Sequence, residues 1–130
     1  MIILTLRTDK PEAEIGLYDD DKRIAYEAWQ AHRQLAETLH SKIKQLLTSN
    51  DKQWADIKSI VVFEGPGSFT GLRIGITVAN TLAYANSVPI VGGQGEDWIK
   101  SGIEKIQTGA AGSQVMPFYG SDPHITVSRK

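Results

Sequence analysis

The chain has 130 residues, 41% hydrophobic and 22% charged, with a net charge of -1 and no cysteine. Those values suit one compact domain rather than a disordered chain, and they exclude a disulfide framework, a thiolate metal site and a cysteine nucleophile. The near-neutral charge argues against direct nucleic-acid binding by this chain alone. With no apolar run near the ~20 residues of a membrane span and no basic lead or long apolar stretch at Met1–Arg7, the expectation is a cytoplasmic protein without membrane contact.

In chain order, Ile2 to Arg7 is an apolar run closed by the turn-rich Thr8-Asp9-Lys10-Pro11, which predicts a buried central strand. Ala13 to Tyr18 and Arg23 to Trp29 flank Asp19-Asp20-Asp21-Lys22 and predict a hairpin, with Ile24, Tyr26 and Ala28 alternating against Arg23, Ala25, Glu27 and Trp29. From Gln34 to Thr48 the spacing of Leu35, Leu39, Ile43, Leu46 and Leu47 predicts an amphipathic helix. A short turn around Trp54-Ala55-Asp56 precedes Ile57 to Phe63, whose β-branched run predicts a strand buried on both faces. Leu72 to Ala85 predicts a second helix, and Val88 to Val91 a short last strand that stops before Gly92-Gly93, placed at a sheet edge or end by Pro89. Glu96 to Gln107 predicts a third helix interrupted by Gly102.

Beyond it, 108–113 has a flexible-linker composition, Gln114 to Tyr119 follows, and His124 to Ser128 reads as a last strand. The organisation is therefore a lobe over 1–108 and a linker with a C-terminal segment over 109–130, packing on the lobe or on a partner. Three antiparallel strands followed by alternating helix and strand predict an α/β fold. By analogy it is a single actin-like (ASKHA), ribonuclease-H-like lobe, a mixed sheet covered by helices.

The glycine-rich segment Gly65-Pro66-Gly67-Ser68-Phe69-Thr70-Gly71 lies between the predicted strand and second helix. Backbone amides at such a junction can cradle phosphate. However, Leu72-Arg73 stands where a P-loop needs Lys and Ser/Thr, and the glycine order is not that of a dinucleotide fingerprint. A stiffened turn, with Ser68 or Thr70 capping the helix, accounts for more of the residues. In the helix beyond, Arg73, Thr77, Asn80 and Tyr84 form a narrow polar strip, and Gly75, Ala79 and Ala83 a small-residue stripe. A helix apolar around most of its circumference needs cover on a second side, from the first helix or from another protein. Together the two helices offer an interface built on Leu35, Leu39, Ile43, Phe69, Leu72, Arg73, Ile76, Ala79, Asn80 and Ala83.

Other chemistry is poorly served. His32, Glu37 and His40 lack H-E-x-x-H spacing, Asp19-Asp20-Asp21 lacks the rest of an EF-hand loop, and Ser68 lacks a nucleophile elbow. Trp29, Trp54 and Trp98 are dispersed, as core or rim residues are.

The run Gly65-Pro66-Gly67-Ser68-Phe69-Thr70-Gly71-Leu72-Arg73-Ile74-Gly75 resembles the signature of the TsaB/YeaZ family, and Ile2-Ile3-Leu4-Thr5-Leu6, the helix beginning near His32 and Ile57 to Phe63 fall in that family's order. The resemblance covers roughly the first hundred residues, an N-terminal lobe, so the chain reads as a short form or a fragment. It implies a noncatalytic scaffold that partners the catalytic protein TsaD, with the ATPase TsaE, in placing threonylcarbamoyl on a tRNA adenosine beside the anticodon. The first two helices would pair with TsaD or form a homodimer, tRNA would be met indirectly, and ATP would be used by the complex rather than bound by this chain alone. One departure stands out: the family's Asp-Thr-Ser at the end of the first strand is Arg7-Thr8-Asp9 here. The alternatives are a nucleotide-binding actin-like lobe and a self-associating module, each completed by a second subunit.

Overall fold

Ile3, Leu4 and Leu6 are at most 1% exposed, so strand β1 (Ile2–Arg7) is buried on both faces and takes the centre of the sheet. The computed structural model describes residues 1–31 and 34–116. Strands β2 (Glu12–Asp19) and β3 (Lys22–Gln30) continue from β1 as an antiparallel meander. Helix α1 (Leu35–Ser49) carries the chain across to β4 (Ile57–Gly65), parallel to β1, and helix α2 (Phe69–Asn86) carries it to β5 (Ile90–Gln94), parallel to β4. Parallel neighbours require such crossovers. The resulting order is β3-β2-β1-β4-β5, and helix α3 (Trp98–Gln107) closes the described lobe. A 3-10 turn, Trp54–Asp56, stands where the turn was predicted.

The two sheet faces are distinguished by period-2 alternation. Thr8 bonds α2 through Gly71, which assigns Leu4, Leu6 and Thr8 to the side of α1 and α2. Val61 and Phe63 point to α3: a Cβ on Gly102 would lie 2.4 Å from Val61 Cγ1, and the Phe63 and Trp98 rings meet edge to face at 5.8 Å. Gly102 thus does not break α3 but lets it approach the sheet.

Several predicted boundaries change, each for a packing reason. Helix α2 starts at Phe69 rather than Leu72, so the second half of the glycine-rich segment is its first turn. Strand β5 continues through Gly92-Gly93, before which the predicted strand stopped. A Cβ would lie 2.5 Å from Glu64 Cδ at the first glycine and 2.2 Å from Trp98 O at the second, so close contacts, not a reversal, require glycine there. In β3, Ile24 and Tyr26 are exposed, whereas Glu27 and Trp29 turn to α1 through Lys42 Nζ to Glu27 Oε2 (2.8 Å) and Trp29 Nε1 to Thr38 Oγ1 (3.1 Å). The predicted linker does not run free throughout, since Gly112 forms an antiparallel bridge to Ile90. The expectations for His32 and for 117–130, including the strand at His124 to Ser128, lie outside the described residues. No helix among the described residues is long and apolar enough to cross a membrane.

Candidate functional site

Where β1 ends, Arg7-Thr8-Asp9 meets the start of α2. Gly65 has φ 129° and joins Pro66 through a cis peptide. Gly67, Gly71 and Gly75 follow at four-residue spacing and all face this strand end. A Cβ at Gly67 would lie 2.6 Å from Asp9 Cβ, at Gly71 2.2 Å from Thr8 O, and at Gly75 2.0 Å from Thr8 Oγ1. Removing three side chains lets the helix and strand touch through backbone, and the Thr8 hydroxyl donates to Gly71 O at 2.6 Å. The glycines therefore build a joint. Ser68 stands at the N-cap of α2 without a side-chain cap hydrogen bond, which corrects the expectation that it caps the helix.

The departure at Arg7 is internally compensated. Its guanidinium donates to both Asp9 oxygens, Nε to Oδ1 at 2.7 Å and Nη2 to Oδ2 at 3.3 Å, and lies 3.8 Å above the Phe63 ring. The side chains are 16% and 7% exposed, so the pair is largely withdrawn from water and strong for a charge-assisted contact. Asp9 also faces a hollow of about 300 Å³ beside Lys10, Ser68 and Thr70. With its acceptors engaged by Arg7, this strand end has the chemistry of a structural clasp. Among the described residues, no group of three or more His, Asp or Glu could hold a metal ion, and His40 instead stacks on Trp54 at 5.0 Å.

Leu35, Leu39 and Ile43 of α1 and Leu72, Ile76, Ala79 and Ala83 of α2 are at most 6% exposed and belong to the lobe's own core. Gly75 lies in the same buried face, against Thr8. Arg73, Thr77, Thr81 and Tyr84 lie on the exposed side of α2, the last 88% exposed. Of Phe69 only the backbone is among the described features. Asn80 is half-buried and already engaged. Its Nδ2 donates to Val115 O at 3.0 Å, and its Oδ1 accepts from Val115 N at 2.9 Å. Reading the chain without coordinates missed this contact, although an asparagine inside an apolar helix, where its propensity is poor, is a signal that its amide has a tertiary partner.

The geometry agrees with the comparisons. A family model for "TsaD: tRNA N6-adenosine threonylcarbamoyltransferase" matches residues 29–93, half of the chain and the stretch holding α1, β4, the glycine joint and α2. The chain is 36% identical over 90 residues to the tRNA threonylcarbamoyladenosine biosynthesis protein TsaB of Bacillus subtilis (strain 168), covering 69% of this chain and 39% of that protein. The chain belongs to this family, in its TsaB/YeaZ group. The YeaZ structure from Pseudomonas aeruginosa matches with a TM-score of 0.66 and 26% identity, covering 72% of this chain and 43% of that one. Thermus thermophilus RuvC, at 10% identity and a TM-score of 0.53 over 72% of this chain and 64% of its own, shares the fold alone. The described residues of this TsaB/YeaZ member thus form a ribonuclease-H-like, ASKHA-type lobe, and the chain spans 39% of the Bacillus subtilis TsaB and 43% of the Pseudomonas aeruginosa YeaZ structure.

Proposed function

We propose that this lobe acts in the threonylcarbamoyl modification of tRNA adenosine as a noncatalytic scaffold for a TsaD-type transferase. What supports this most directly is the exposed strip of α2, Arg73, Thr77, Thr81 and Tyr84, on a helix whose other side is packed in the core. The pairing of Asp9 with Arg7, in which each carboxylate oxygen accepts from the guanidinium, agrees with a supporting role. The chemistry and the ATP then reside with the partner proteins, TsaE joins through the assembly, and tRNA is reached indirectly in the cytoplasm.

The test is co-purification with the TsaD-type transferase of the same organism. Thr77→Arg with Thr81→Arg places two cations on exposed helix positions, where the fold has room for them. Loss of the complex with an unchanged circular dichroism spectrum is expected, and an intact complex overturns the interface. Ala79→Arg cannot serve, because Ala79 is 0% exposed and its replacement disrupts the core.

A further inference from the structure

We infer that residues 111–115 are an intramolecular guard on β5, occupying the outer edge of the sheet so that a second copy of this chain cannot add a strand there. Asn80 and Lys105 are its positioning residues. The docking role proposed above is not needed for it. Strands β3 and β5 are the two edges of the sheet, and an open edge is a template for pairing with another chain. The two edges differ in what they carry. Strand β3 has Lys22, Arg23 and Glu27 along its length and a register shift at Leu17/Tyr18, so charge and an irregular twist protect it. Strand β5 runs Ile90-Val91-Gly92-Gly93-Gln94 without a charge, and its first four residues are buried. A glycine-rich strand of that kind fixes its pairing weakly, so its protection comes from elsewhere.

Three contacts supply it. Gly112 exchanges both backbone hydrogen bonds with Ile90, at 2.9 and 3.0 Å. Ile90 thus faces outward, and because backbone groups alternate sides along a strand, so does Gly92. The Gly92 carbonyl accepts from Lys105 Nζ at 2.9 Å, so both outward carbonyls are occupied from within the lobe. The third contact fixes the guard itself. Asn80 Nδ2 donates to Val115 O at 3.0 Å and Asn80 Oδ1 accepts from Val115 N at 2.9 Å, so α2 holds both backbone groups of Val115 as a neighbouring strand would. Val115 is 6% exposed, and Ala111 packs against the same core. The segment is therefore held on both sides of Gly112, which keeps the bridge to Ile90 closed.

The full chain tests this through Asn80→Ala, Lys105→Met and their combination, read by amide hydrogen exchange and by sedimentation over a concentration series. Asn80→Ala is expected to speed exchange of the Ile90 amide about tenfold, in line with the loss of two hydrogen bonds, with the amides of α2 still protected. Both single variants are expected to self-associate at lower concentration than the wild type, and the combination at the lowest. Adding Gln94→Lys, which sets a charge on the exposed end of β5, should return the combination toward wild-type behaviour. Lys105→Met changes an exposed residue, so it reports on the edge even where Asn80→Ala disturbs the core. Ile90 exchange unchanged in Asn80→Ala overturns the positioning role. Wild-type sedimentation in the combination, or association that Gln94→Lys does not reduce, overturns the guard.

Discussion

At the glycine joint the decisive quantity is the space for one carbon. Gly71→Ala would set a Cβ 2.2 Å from a backbone oxygen, which cannot swing aside as a side chain can. We expect a loss of about 1–3 kcal/mol, typical of overpacking, read as a lower urea midpoint with an unchanged slope. The Arg7–Asp9 clasp makes a second prediction. Arg7→Asp removes the cation from a pair whose members are 16% and 7% exposed and adds a second carboxylate beside the first. A loss of about 3 kcal/mol is expected. Combining it with Asp9→Ser leaves one carboxylate in place of two mutually repelling ones, so the double variant should recover part of that stability. A double variant weaker than the single one would refute the clasp. Spacing and motif exposed the glycines in the sequence, but not their neighbour, because Thr8 and Asp9 lie some sixty residues upstream of the loop they fit.

At the scale of the elements, periodicity located every strand and helix among the described residues, and packing set their ends. The apolar ridge of α1 was legible as a ridge. Its direction was not, because Leu35, Leu39 and Ile43 have the same spacing whether they meet a sheet or another protein. The β2–β3 pair shows a related effect on its less covered face. Partial desolvation against the sheet, and then the neighbouring Glu14, push the Tyr26 hydroxyl above its ordinary value of 10.0, although the residue stays 43% exposed. Since the raised value belongs to the folded state, the unfolded chain loses this proton first. The contribution is therefore complete below about pH 10 and is lost as pH rises through the folded value. Tyr26→Phe should flatten the alkaline decline of stability measured by urea titration, and an unchanged decline would place the cause elsewhere.

At the scale of the whole molecule, the mixed sheet and its helix order followed from a meander of strands succeeded by βα alternation, a topology that connection rules restrict to few arrangements. The local pattern of the sequence by itself determined the elements, the central place of Ile2–Arg7, the glycine signature and the family it marks. Only the tertiary structure decided which side of α2 is exposed, that Arg7 and Asp9 neutralise each other, and that Asn80 holds Val115. The reason is physical. Periodicity records that a side chain is apolar and on which face of its own element it lies, but the partner of that face comes from residues distant in sequence. Burial of Ala79 and exposure of Thr77 are thus properties of the assembled lobe, and they move the proposed contact from the apolar stripe to the polar strip.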